Sequence, residues 1–440
     1  MRWKTDEYTG WGRVLKASGA LARPEKMAEL RTMEDPDRGP AIGNLRSYGD
    51  AALNSGGRAI AMTRLDRLIE FDEDTGLLTA EAGISIGEIM RIFAPRGWIP
   101  AVVPGTGIAT LGGCICNDVH GKNHHGAGSF GQHVTAIELL GAGGNIRTIK
   151  PDTNKTLFRA TVGGLGQTGI ILSATIKLAP ATSEVMDVQE NRADNLDEFM
   201  VMLEQSSATY SVGWIDAAAT GTGMGRGILE EAEIKEACEP LKTKKPKSVG
   251  RDAPKFFLSP PVVRLFNRFY LNRVPVAGRR LDRAQNDFFF PLDRIHNWNR
   301  LYGKSGFHQF QCVVPDDTAN ESLTRMLTSI SRSKLASPLA VLKRLGEGRA
   351  GMMSFPMKGY TLAVDFPNRA KSAALVQELE DEALNAGGRV YLAKDALSRA
   401  GRIRSMYDEQ AAFTKQVLSA DPEGIFTTDM ARRLKLRGEP

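Results

Sequence analysis

Cysteine is scarce in this chain, with four residues in 440: Cys114, Cys116, Cys238 and Cys312. That is too few for a disulfide framework, so the expected setting is a reducing compartment, or thiols without a structural role. Long apolar runs are missing as well. No stretch of about 18 uninterrupted apolar residues occurs, which argues against a membrane-spanning helix. The opening segment, "MRWKTDEYTGWGRVLKASG", carries acidic residues and no apolar core of signal-peptide length. The expectation is a cytoplasmic protein or one peripheral to the inner membrane. Neither H-E-x-x-H nor C-x-x-C is present, so two recurrent metal-site spacings are absent.

What is present is the balance of a soluble globular enzyme, 42% hydrophobic and 25% charged. The length exceeds one ordinary core, and at roughly 100 to 200 residues per domain it suggests two domains. A net charge of +6 is mildly basic and points to an anionic partner. The excess concentrates in "LKTKKPKSVGRDAPK", Leu241 to Lys255. A solvated loop is the plainer account of it, and docking to an anion the alternative.

Short β-branched runs between Gly and Pro residues fill positions 41 to 176: "AIAMT", "LLTAEAG", "HVTAIELLGAGG", "NIRTIK" and "GIILSATIKLAP". One helix interrupts them. "SIGEIMRIFAPRG" has Ser85 as N-cap, Glu88 three residues on, and Ile86, Ile89, Met90 and Phe93 at helical spacing. This half reads as α+β. Beyond Pro180, "NLDEFMVMLEQSS" and "DTANESLTRMLTSISRSK" read as amphipathic helices, and "TYSVGWIDA", "GFHQFQCVVP" and "MKGYTLAVDFP" as strands. The tail after about 388 has no room for its own core and must pack back on one of the two domains.

The segment "GGCICNDVHGKNHHGAGSFG", Gly112 to Gly131, invites a metal reading through His120, His124, His125 and the two cysteines. Its glycines make helical i, i+4 geometry there an unsafe assumption. A literal G-x-G-x-x-G occurs as Gly164, Gly166 and Gly169, yet the β-branched "IILSATIKL" follows it where a dinucleotide fingerprint needs a helix. The expectation there is a turn into a strand. Glycines leave backbone amides unshielded, so three Gly-rich turns, "GNLRSYGDAALNSGG", "PGTGIATLGGCICNDVHG" and "GGLGQTGII", suit one large diphosphate-bearing cofactor.

"RSYGD" (Arg46 to Asp50), "PGTGIATLGG" (Pro104 to Gly113) and "HGKNHHGAGSFG" (His120 to Gly131) resemble the FAD-binding segments of the vanillyl-alcohol-oxidase type of flavoprotein. With "TGWGR", "YLAKD" at Tyr391 and "DMARRL" at Asp429, the resemblance spans nearly the whole chain. Within that family it is most similar to the oxidases of polyprenyl-phosphoryl ribose. The resemblance implies an α+β, two-domain FAD-binding fold: a first part at 1–182, a substrate domain of antiparallel sheet plus helices inserted at 183–388, and a C-terminal return at 389–440. It implies oxidation of a sugar ring hydroxyl, C2 of a polyprenyl-phosphoryl-β-D-ribose, to a ketone that passes hydride to FAD. This is the first half of an epimerisation to the arabinose donor of cell-wall arabinan.

Carried onto this sequence, Arg46, Ser47, Tyr48, Gly49, Asp50, Gly105, Thr106, Thr110, Leu111, Gly112, Gly113, Asn117, His120, Ile171 and Tyr391 fall on FAD-cradling positions. Lys394 and Tyr48 fall on the catalytic positions, where they would accept the proton and stabilise developing alkoxide. Gln309, Gln311, Lys343, Tyr302, Trp214, Thr361 and Ala363 fall on the substrate side. Relatives with covalent flavin carry a histidine near Tyr48, and its replacement implies dissociable FAD. The best-known relatives have Cys where this chain has Ala363 and Asn where it has Thr361. The implied partners are a lipid-linked phosphopentose, a short-chain-type NAD(P)H reductase, quinone or oxygen as electron acceptor, and a membrane surface, with a periplasmic face implied by the family; neither nucleic acid nor metal is expected. A soluble alditol or aldonolactone as substrate is one alternative. A non-catalytic metal- or nucleic-acid-binding protein is another.

Overall fold

The short β-branched runs before position 180 form two sheets in the computed structural model. The structure describes residues 2–33, 38–236, 238–243 and 245–438. Lys244 of the basic stretch, and residues 1, 34–37, 237, 439 and 440 of the expected segments, lie outside the described residues. In the smaller sheet Trp3–Thr9 pairs antiparallel with Lys16–Ala22, which runs parallel to Arg58–Ala61, itself parallel to Ala41–Ile42. The larger sheet is antiparallel, in the order Leu68–Asp72, Leu77–Glu81, Ile170–Pro180, Val134–Leu140, Ile146–Ile149, and Trp98–Pro100 pairs with the far end of Ile170–Pro180. Ile170–Pro180 is central, and its first five residues are all buried. A strand covered on both faces reads as a continuous apolar run, which is the pattern of "IILSATIKL". The glycines before it form a turn that enters this strand directly, with no helix after them.

Ser85 caps the helix Ile86–Phe93 by accepting from Glu88 N at 3.2 Å. Glu88 turns its carboxylate to Arg91, at 2.5 and 2.9 Å, rather than back to the cap. Ser85 also stands in a literal G-x-S-x-G string, Gly83 to Gly87. Its hydroxyl serves the cap, so the string marks a helix start and not a nucleophile elbow.

The third sheet has eight strands, in the order Arg279–Ala284, Val185–Ala193, Gly227–Ile234, Tyr210–Ile215, Ala340–Leu345, Gly359–Pro367, Phe307–Val314, Arg389–Val390. Helices Leu196–Gln205, Asp316–Ser333 and Ser372–Asn385 cover one face, where Phe310, Cys312, Leu342, Leu362 and Val364 share a core with Phe199, Leu323 and Leu379. The alternation of side chains puts the polar residues of the same strands on the opposite face. Cross-strand partners point the same way, and here they form one row. Gln309 stands opposite Asp365 and Gln311 opposite Ala363; Lys343 stands opposite Thr361. Val341 stands opposite both Ala363 and Trp214.

The tail returns to the start of the chain as helices Ala400–Met406, Gln410–Ala420 and Asp429–Arg433. Ser55 Oγ donates to Asp429 at 2.7 Å, and Gln167 Nε2 donates to the Phe426 carbonyl at 3.0 Å. Among the described residues no helix is long and apolar enough to cross a membrane.

Candidate active site

A cavity of about 730 Å³ lies between the polar face of the eight-stranded sheet and the Gly-rich turns of the first half. Arg46, Ser47, Tyr48, Gly105, Thr106, Thr110, Gly112, Gly113, Asn117, His120, Ile171 and Tyr391 all contribute to its wall. So do Trp214, Gln309, Gln311, Lys343, Thr361, Ala363 and Lys394 from the other side. Residues spread over some 350 positions of sequence thus share one cavity.

Four predicted site residues do not reach it. Leu111 is fully buried in the core beneath the short helix Leu111–Cys116. Tyr302 stacks on Phe307, with centroids 4.0 Å apart, and its hydroxyl lies 2.9 Å from Ser337 Oγ and 3.1 Å from Asp365 Oδ2. It is a buried aromatic behind the wall, holding Asp365. Gly49 and Asp50 form a clamp. A Cβ on Gly49 would come within 1.9 Å of the Asp395 carbonyl oxygen, so only glycine lets the two backbones touch. Asp50 pairs with Arg433 at 2.6 and 2.8 Å, and Arg433 also reaches Asp395 at 3.0 Å. The consequence appears one residue away on each strand of chain: Tyr48 N donates to the Ala393 carbonyl at 2.9 Å, and Lys394 Nζ lies 3.8 Å from the centre of the Tyr48 ring.

Burial sets the protonation states here. Lys394 is brought down to about 7, chiefly by loss of water and further by Lys343, against the opposing pull of Asp365. Lys343 falls to about 8 through burial. Asp365, which accepts from Gln309 Nε2 at 2.5 Å, is pushed up to about 7 by burial. The Tyr48 phenol is pushed well above its ordinary value and stays neutral. His120 is held well below its ordinary value by burial and by Lys343, and is neutral too. Gln311 Nε2 donates to His120 Nε2 and to Thr361 Oγ1, both at 3.2 Å. Trp214 lines the wall with its ring while its indole N–H is used on the Pro338 carbonyl at 2.8 Å.

Two functional candidates were not singled out from sequence. Lys122 lines the cavity, lies 3.8 Å over the Phe288 ring, and is lowered to about 7, mainly by burial. It sits inside the HGKNHH segment, flanked by Gly121 and Asn123. Asp365 extends the Thr361, Ala363 alternation by one more step and was legible from that period. Cys114 and Cys116 back the cavity with thiols raised by burial, Cys116 to about 12. Among the described residues no group of three or more His, Cys, Asp or Glu is placed to hold a metal ion.

The wall fits a flat, anionic cofactor. Buried Arg46 Nε, Asn117 Oδ1 and His120 Nδ1 have no hydrogen-bond partner among the described residues. A Cβ on Gly105 would meet nothing within 4 Å, so a side chain there would fill the cavity. The model of the FAD binding domain family matches residues 39–150, the part of the chain that supplies these atoms. The decaprenylphosphoryl-β-D-ribose oxidase of Mycolicibacterium smegmatis is 38% identical over 98% of this chain and 98% of its own. The chain belongs to the decaprenylphosphoryl-β-D-ribose oxidase family. The resemblance to FAD-binding oxidases read from RSYGD, HGKNHH and YLAKD is thereby borne out, and with it the mixed α/β FAD-binding fold. As a member of this family the protein is an FAD-dependent oxidoreductase, which removes the reading as a non-catalytic metal- or nucleic-acid-binding protein. More distant similarity extends to the L-gulono-1,4-lactone dehydrogenase of Mycobacterium tuberculosis, 23% identical over 97% of this chain and 98% of its own. The D-arabinono-1,4-lactone oxidase of Yarrowia lipolytica is 30% identical over 32% of this chain and 27% of its own.

Proposed function

We propose that this enzyme oxidises the C2 hydroxyl of a polyprenyl-phosphoryl-β-D-ribose to a ketone, as the first half of an epimerisation to the arabinose donor. FAD, when bound, supplies the acceptor for the hydride that leaves C2. The observation that carries the reading is Lys394 on the Tyr48 ring, between the Gly-rich wall and the polar row of the sheet. Lys394, close to neutral at physiological pH, takes the hydroxyl proton as the carbon loses hydride. Tyr48 keeps that amine positioned, and neutral His120 adds no competing acid. Gln309 and Gln311 offer amides to the ring hydroxyls, and Thr361 and Ala363 shape the floor beside them. Lys343 and Lys122 face the phosphate. Arg46, Ser47, Gly105, Thr106, Thr110, Gly112, Gly113, Asn117, Ile171 and Tyr391 hold a dissociable FAD. A division at 1–182, 183–388 and 389–440 is supported at 182 by the separate sheets and in the tail by the contacts at Ser55 and Gln167, although Arg389–Val390 still pairs within the eight-stranded sheet. A short-chain-type NAD(P)H reductase reduces the ketone, and quinone or oxygen reoxidises the enzyme.

The test is anaerobic mixing of the FAD-loaded enzyme with a short-chain polyprenyl-phosphoryl ribose. Flavin bleaching is expected, with deuterium at C2 after the product is trapped with borodeuteride. A second reading, oxidation of a soluble alditol or aldonolactone, rests on the full-length similarity to a lactone dehydrogenase. Bleaching by an aldonolactone and none by the lipid-linked pentose would decide for it.

A further inference from the structure

Helix Pro260–Asn272 carries apolar residues on two faces, and only one of them is used. Val263, Asn267 and Leu271, spaced by four, form the buried seam. Val262, Leu265, Phe266 and Phe269, at i, i+3, i+4 and i+7, form a second stripe with 39%, 56%, 47% and 69% of their surface exposed. Phe256 and Phe257, in the turn Lys255–Leu258 that leads into the helix, are 64% and 49% exposed. Half of the large exposed hydrophobic residues among the described ones, seven of fourteen, fall between Phe256 and Val276. Packing within the chain still leaves each of them between 39% and 84% exposed, which a water-soluble surface disfavours.

Charge selects the occupant. Exposed Lys242, Lys245, Lys247, Arg251 and Lys255 precede the helix, and exposed Arg264 and Arg268 flank its outer stripe. Against these, the single acid between 241 and 272 is Asp252, already paired with Arg13 at 2.6 Å. Apolar rings edged by arginine and lysine match an anionic lipid surface, where the rings enter the acyl boundary and the cations meet the headgroups. The helix is also coupled to the cavity: Phe266 stacks on Tyr270, 5.8 Å apart, and Tyr270 packs on Trp214 at 4.7 Å, both of the latter in the cavity wall.

We propose that the turn Lys255–Leu258 and the outer stripe of helix Pro260–Asn272 form a docking surface for an anionic lipid bilayer, placed beside one wall of the cavity. The surface stands whether the substrate is lipid-linked or soluble. Flotation of the FAD-loaded enzyme with vesicles of phosphatidylcholine plus phosphatidylglycerol, and of phosphatidylcholine alone, tests it. Preferential binding to the anionic vesicles is expected, weakened by salt. The pair Leu265→Gln and Phe269→Gln should lower it roughly tenfold or more, and Arg264→Gln with Arg268→Gln should reduce the preference for anionic lipid. All four positions are exposed, and flavin content and melting temperature should match the parent. Absence of vesicle binding by the parent enzyme, or binding unchanged in the apolar pair, would overturn the proposal. So would light scattering that shows a dimer which the apolar pair converts to monomer, because a second copy would then cover this face.

Discussion

Lys394 Nζ rests 3.8 Å above the Tyr48 ring because the backbones on either side of the pair are locked together. Gly49 touches Asp395, Tyr48 N bonds to Ala393, and Arg433 ties Asp50 to Asp395. Three motifs far apart in sequence, RSYGD, YLAKD and DMARR, are therefore one device that presents an amine to the cavity.

Replacing that amine should stop chemistry and spare cofactor binding. Lys394→Met is expected to slow flavin reduction by ~10²–10⁴-fold, with the visible flavin band retained. Stopped-flow bleaching of the loaded variant checks both.

The same group sets a pH dependence. Burial lowers Lys394 to about 7, and the acting form is the unprotonated amine above that value. kcat/KM should rise with pH through about 7 and level above it, and this limb should vanish in Lys394→Met. A rate that falls as pH rises through the same window would assign the proton step elsewhere.

Gly105 tests the cofactor wall. Gly105→Leu places a side chain where nothing now lies within 4 Å. FAD affinity should drop by roughly tenfold or more, at least about 1.4 kcal/mol, while circular dichroism stays that of a folded chain. Flavin-to-protein absorbance after dialysis is the measurement. Acid precipitation of the parent should leave its flavin in the supernatant.

Ala363 lines the cavity opposite Gln311, and the cavity thiols Cys114 and Cys116 are held protonated by burial. The parent should keep its activity in iodoacetamide, with any adduct confined to the half-buried Cys238, since the thiolate is the reactive form. Ala363→Cys should be inactivated in a time-dependent manner, with the adduct found at that position by mass spectrometry.

Arg433→Ala leaves the buried Asp50 and Asp395 carboxylates without their shared cation. Loss of one partner from such a cluster costs about 3–5 kcal/mol. Urea unfolding should show that loss in the apoprotein, and a loss under about 1 kcal/mol would mean that water replaces the pair.

Much of this protein was legible in its sequence. Periodicity located helices Ile86–Phe93, Leu196–Gln205 and Asp316–Ser333 and strands such as Ile170–Pro180, Phe307–Val314 and Gly359–Pro367, because alternation and 3.6-residue spacing are local consequences of which side must be buried, while helices Pro260–Asn272 and Ser372–Asn385 were not read from it. The Gly-rich turns suited a diphosphate-bearing cofactor through the backbone amides they leave open, and the HGKNHH and YLAKD segments pointed to FAD through their resemblance to the family. What local pattern could not settle was which motif residues face the ligand. Gly49, Asp50 and Leu111 lie in the matching segments and Tyr302 at a substrate-side position, yet all four stay outside the cavity, while Lys122 lines it and Asp365 supports it. Those assignments depend on how strands from positions 210, 307, 340 and 359 pair into one sheet, and on an arginine at 433 reaching an aspartate at 50. Side-chain direction in a strand is fixed by its period of two, but which strand stands next to it is set by burial summed over the whole chain. Only the tertiary structure expresses that sum.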